Sequence, residues 1–313
     1  MTLHVIEPER RTLHGHFSRD LAPVLSIGSG DTVRFRTLDA GWGLEPPSTA
    51  FATRRQFRPR DPTLDAGHAL LGPIELQGAK PGMTLEVDIG AIVPGPWGWT
   101  RAGGWSSPLN ERLDLAQGDQ HLLVWTIDAK NATACDQNGR AVSIRPFMGI
   151  IGMPPDEPGI HPTWPPRACG GNIDCRELVS GSRLFLPIPV PGGLVSVGDG
   201  HAMQGDGEVS STAIECPMEL VELRFVLRDD LPISTPCAET PAGWITLGLH
   251  EDLNEAAAIA LDAMLDLMTA HHHLDRKDAL ALASLAVDLR VTQIVNGTRG
   301  IHALLRREAI QGL

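Results

Sequence analysis

The 313-residue chain predicts a mainly β fold, sandwich-like or barrel-like and antiparallel, with a small α/β element at its C-terminus. Two observations carry this. Short segments through the N-terminal half alternate apolar and polar residues with a period of two, the mark of half-buried strands. Gly 33 and Pro 25 are abundant while charged residues make up only 20 %, which suits turns and disfavours helix interiors.

In chain order, Asp31 to Thr37 places Val33, Phe35 and Thr37 on one face and Arg34 and Arg36 on the other. Leu85, Val87 and Ile89 repeat the pattern, as do Leu123, Trp125 and Ile127, then Leu223, Phe225 and Leu227 against Glu222, Arg224 and Arg228. Gly28 to Asp31 and Lys80 to Gly82 supply turns ahead of two of these strands. Residues 146–175 hold seven prolines and predict a long irregular loop, a kind of segment that is usually functional inside a compact domain. Residues 255–271 lack Gly and Pro and follow Asp252 and Asn254, both suited to cap a helix. A second helix opens at Asp275 to Asp278 and runs to about Leu285. Asp288 to Val295 predicts a last strand, closed by Asn296-Gly297. A soft boundary near 240 divides residues 1–240, a β-rich part carrying the site, from residues 241–313, a smaller α+β element packed on it.

Net charge −12, with no cluster of Lys and Arg to offset it, argues against a phosphate-binding face, so nucleic acid is not an expected partner. No stretch reaches the roughly 18 apolar residues of a membrane span, and the first residues lack the order of a secretion signal. Five cysteines, an odd and irregular set, read as reduced thiols of a cytoplasmic protein. Cys169, Cys175 and Cys216 read as buried small hydrophobes rather than nucleophiles.

The chemistry concentrates in Gly198 to Glu208, which carries Asp199, His201, Asp206 and Glu208 between glycines. Carboxylates and an imidazole together supply ligands for a divalent metal and a general base. Asp199 and His201 are two apart and would share one side of a strand. The plainer alternative is a solvated acidic hairpin. The apolar Leu194, Val195 and Val197 just before it argue for an anchored turn. His68 near Asp65, and Asn172 with Asp174 after Gly170-Gly171, are further candidates, though each also reads as an ordinary loop or turn. His271 to His273 point about 100° apart on a helix and read as a solvated helix end. Trp97, Trp99 and Trp105 line a pocket or pin a loop. The Asn-x-Thr triplets at Asn131 and Asn296 read as chance.

Gly67 to Gly82, Pro146 to Gly152, Pro165 to Asp174, Gly181 to Ile188, Gly198 to Glu208 and Thr212 to Glu215, in this order, resemble the acetamidase/formamidase family. The resemblance implies a β-rich fold and hydrolysis of small linear amides to carboxylate and ammonia. It also implies a bound divalent ion, zinc foremost, with calcium or another ion as alternatives. His68, Asp174, Asp199 and His201 are then the expected metal ligands, Glu208 the general base, and Asn172 the group facing the oxyanion. The expected partners are an amide substrate and a second copy of the chain, as a homo-oligomer (dimer). Two alternatives stay open: hydrolysis of another small C–N compound, guanidine or carbamoyl, and a non-catalytic binding protein.

Overall fold

The computed structural model describes residues 1–48 and 54–310. It is mainly β, as expected, and its spine is the antiparallel pair Thr84–Pro94 and Met218–Arg228 at the centre of a nine-stranded sheet. One face of this pair buries Leu85, Val87, Ile89, Val221, Leu223 and Phe225. On the other face Arg224 lies directly across from Asp88 and bonds it at 2.7 Å. Period-two alternation in both strands creates this division. Each buried aliphatic or aromatic side chain contributes about 1.5–3 kcal/mol.

A six-stranded sheet packs on that apolar face. Its central strands are Phe147–Gly152, Val195–His201 and Leu70–Leu76, with Gly170–Asn172 and Leu13–His14 outside them. Leu71, Ile74, Val195 and Val197 join Leu85, Val87, Leu223 and Phe225 in one core, so the two sheets form a sandwich. A four-stranded sheet, Trp97–Ala102, His121–Asp128, Thr133–Asp136 and Ala141–Ser143, completes the β architecture.

Three expectations need correction. The sheets are not wholly antiparallel: Leu3–Ile6 runs parallel to Thr32–Phe35, and Leu25–Ile27 parallel to Leu70–Leu76. Residues 146–175 are not one loop, because Phe147–Gly152 and Gly170–Asn172 are strands. Every residue of Phe147–Gly152 is buried, and a strand covered on both faces shows no alternation to read. The irregular part is 153–169. Finally, the strand Val287–Gln293 is not the last; the chain turns back as Arg299–Arg306, six of whose eight residues are buried, so it too lacks alternation.

The nine-stranded sheet passes through position 240 without a break. Cys237–Thr240 pairs with Arg183–Pro187 on one side and Gly243–His250 on the other. Helix Leu253–His272 starts where the Asp252 carboxylate accepts from the Asn254 and Glu255 amides. Helix Arg276–Ala286 starts the same way at Asp275. Each such cap is worth about 1 kcal/mol. Ala256, Ala260, Met264 and Met268 pack this layer on Ile301 and Ala303. No helix among the described residues is long and apolar enough to cross a membrane.

Candidate metal centre

Strand Val195–His201 delivers Asp199 and His201 to one spot, with His201 Nε2 3.4 Å from Asp199 Oδ1. The neighbouring strand contributes a glycine there. A Cβ on Gly149 would lie 2.5 Å from Asp199 Oδ2 and 2.6 Å from Asp174 Oδ1, so only glycine leaves room for the two carboxylates. Asp174 follows the strand Gly170–Asn172 and comes within 4.0 Å of His201 Nδ1. Glu208 enters from the loop after His201. Glu215 bridges to both Trp99 and His201, and its Oε2 is 3.3 Å from His201 Nε2.

Two donor groups result, Asp174–Asp199–His201 and His201–Glu208–Glu215, each with ligand atoms within 4.8 Å of one another. All five side chains are buried. Asp174, Asp199 and Glu208 hold left-handed backbones, with φ of 51°, 59° and 46°. That conformation costs a residue with a Cβ roughly 1–2 kcal/mol, and it concentrates here.

His68, the remaining expected ligand, lines the same cavity but joins neither donor group. Its Nδ1 is bonded to Thr163 Oγ1 at 2.7 Å and its ring stands edge-on to Trp164. Asn172 also lines the cavity; its Nδ2 donates to the Trp164 carbonyl at 3.1 Å. Asp206, read with the acidic run, turns away to Arg290 at 2.7 Å and serves as a clamp. His271 to His273 end the helix Leu253–His272 and lie outside the cavity lining. Trp99 lines the cavity, and its Nε1 donates to Asp39 at 2.6 Å. The five cysteines are unbridged, and burial pushes the Cys169 thiol up to about 11 and the Cys175 thiol to about 12.

Sequence reading missed Glu215, Gly149 and Asn296. Glu215 had one available signal, a lone acid inside the apolar run Ala213-Ile214-Glu215-Cys216. Asn296 read only as a turn residue, yet its Nδ2 donates to Asp174 Oδ2 at 2.7 Å.

The electrostatics favour a cation. Four buried carboxylates surround one imidazole. Asp174 Oδ1, Glu208 Oε2, Glu215 Oε2 and both His201 nitrogens are buried without a hydrogen-bond partner among the described residues. Unpartnered oxygen and nitrogen donors gathered in two groups that share His201 fit a divalent ion. Burial, then the charge of Asp199, pushes the Asp174 carboxyl up to about 8. Burial, then Asp174, lifts Glu208 well above the usual carboxylate range, and burial lifts Glu215 as well. Burial would raise Asp199 too, but His201 and His68 outweigh it and hold it below that range. Burial opposes charge on His201, yet Glu215 and Asp199 prevail and raise it well above the ordinary imidazole value.

These shifts predict a pH dependence for the metal-free protein. Asp174 rises from 3.8 to about 8 on folding, so the folded state keeps a proton that the unfolded chain has released. Stability is therefore lost as pH rises through that window, and His201, also raised, acts in the same direction. With a chelator present, the melting temperature should fall as pH rises from about 4 to about 8, and added zinc should flatten the slope. Melting curves across that range check it; a flat chelated profile would contradict the charge balance described.

Asp199, Glu208 and Glu215 wall a cavity of about 330 Å³, which they share with Trp42, Trp99, Arg101 and Trp164; Asp174 and His201 lie behind that wall. The sequence model of the acetamidase/formamidase family matches residues 4–161 and 159–304. The formamidase of Methylophilus methylotrophus is 26 % identical over 251 residues, 63 % of this chain and 60 % of that protein. This chain thus spans about 60 % of the length of that curated relative. Among solved structures, the acetamidase of Bacillus halodurans superposes with a TM-score of 0.82 at 25 % identity, over 96 % of this chain and 97 % of that one. A recombinant predicted acetamidase/formamidase of Thermoanaerobacter tengcongensis shares the fold, with a TM-score of 0.84 at 24 % identity over 98 % of this chain and 96 % of that one.

Proposed function

Because this chain belongs to the acetamidase/formamidase family, we propose that it hydrolyses a small linear amide to a carboxylate and ammonia in the cavity beside His201. The observation that carries the reading is the convergence of Asp174, Asp199, Glu208 and Glu215 on one buried imidazole, with oxygens left unpartnered.

The residues that would hold a divalent ion, zinc foremost, are Asp174, Asp199 and His201, with His68 on the same cavity wall. Such an ion supplies Lewis acidity at the amide carbonyl when bound. Glu208 takes the proton of the attacking water and returns it to the departing nitrogen. Its Oε2 is unpartnered, and burial raises its carboxyl toward the range where one group can both accept and give a proton. Asn172 has one N–H engaged with Trp164, which leaves the other for the oxyanion and Oδ1 for the substrate N–H. Asn296 and Gln204 hold Asp174 in place, by its Oδ2 at 2.7 Å and its backbone carbonyl at 2.8 Å. Trp42, Trp99 and Trp164 narrow the space available to water. Five unbridged thiols suit a reducing, cytoplasmic setting.

The test is elemental analysis of the purified protein, combined with ammonia release from formamide and acetamide before and after chelation. The expected result is bound divalent metal, with ammonia release lost on chelation and regained with zinc. Undiminished release from fully metal-free protein would remove the ion from the reading. No release from any amide by metal-loaded protein would remove the amidase.

A further inference from the structure

Away from the carboxylates, the same cavity is lined by Arg54, Arg60 and Arg101. The three are not equivalent. Arg54 is neutralised by the fully buried Asp39 at 2.7 Å. Arg60 stacks on Trp42, 4.7 Å from the ring centroid, and gives one N–H to the Asp65 backbone carbonyl. Arg101 hydrogen-bonds only through its backbone among the described residues, and its Nε is buried and unpartnered, as is that of Arg60. Its guanidinium is nonetheless held in place. It lies 5.8 Å from the Trp99 ring and 5.2 Å from the Trp105 ring, and Thr212 bonds its backbone N–H and C=O, both at 3.1 Å.

Arg101 is half-buried: its Nε is shielded without an acceptor while its terminal N–H groups stay free at the cavity, and such a planar fork matches a carboxylate. Formamide and acetamide bring no such group and fill only part of a cavity of about 330 Å³. We propose that the substrate is an amide whose acyl chain ends in a carboxylate, with the amide at the His201 cluster and the carboxylate on Arg101, flanked by Arg60. This rests on the amidase reading and adds the substrate class to it. The competing account is that Arg101 only balances the charge of Glu215 from a distance. That account predicts equal effects on charged and neutral amides.

The experiment compares succinamate with butanamide, a pair of like length differing in the terminal group. Ammonia release gives kcat/KM, and calorimetry gives binding independently of turnover. The expected result is a preference for succinamate of at least about tenfold. Arg101→Gln should lower kcat/KM and affinity for succinamate at least about tenfold more than for butanamide, while Arg101→Lys recovers part of the preference. Melting temperatures identify any variant that fails to fold, and Arg60→Gln then provides a second reading of the same preference. Absence of ammonia from both amides, with succinamate binding that depends on Arg101, would overturn the amidase reading and leave the anion site standing. Equal binding of the two amides by the native protein, or succinamate binding that Arg101→Gln leaves intact, would overturn the anion site.

Discussion

Glu208→Gln is expected to lower turnover by roughly 10²–10⁴-fold while bound metal stays at the native level. The substitution keeps the volume and one oxygen of the side chain, and removes only the capacity to take up a proton. Fold and stability should change little, since Gln keeps the size of the side chain and adds no charge to a buried site. Metal content, melting temperature and ammonia release measured on one preparation separate the outcomes. Native turnover in this variant would transfer the proton role to another group, Glu215 first, because its Oε2 is also buried and unpartnered.

The second large effect is predicted at a residue with no functional group. Gly149→Ala would place a methyl 2.5 Å from Asp199 Oδ2, 2.6 Å from Asp174 Oδ1 and 3.0 Å from His201 Cε1. Strand Phe147–Gly152 is tied on both sides by ladder bonds and cannot back away, so the carboxylates must separate. Overpacking of this kind costs about 1–3 kcal/mol, and here it falls on the donor set. Bound metal and activity should be lost together, activity by at least about a hundredfold, the usual cost of misplacing reacting groups by about 1 Å. A fully metallated, active Gly149→Ala protein would show that the donors do not meet beneath Gly149.

How much of this was legible in the sequence differs between fold and site. Strands with one wet face announced themselves. Val33 and Phe35, Leu85 to Ile89, and Leu223 with Phe225 are buried as their alternation requires. Both long helices began at the expected Asp252 and Asp275 caps. Strands covered on both faces carry no alternation, so by pattern alone Phe147–Gly152 reads as part of a loop and Arg299–Arg306 gives no strand signal. In the site, local signals sufficed for Asp199 and His201, which share a strand side as their spacing predicts, and Glu208 lies beside them. Asp206, in the same run, could not be told apart from them, because its partner Arg290 is 84 positions away. Asp174, Glu215 and Asn296 meet only through pairings between remote segments, and spacing rules hold no information about those. The link between His68 and this cluster came from family likeness alone, and the fold places it on the cavity wall rather than inside either donor group.

The unbroken sheet across position 240 has a practical consequence. Truncating the chain there would turn Cys237–Thr240 into a raw border with a row of amides and carbonyls facing solvent, an open template for fibre-like self-association. The shortened protein would also forfeit Arg290 and Asn296, the anchors of Asp206 and Asp174, so the far end of the polypeptide acts as a buttress for chemistry encoded a hundred residues earlier.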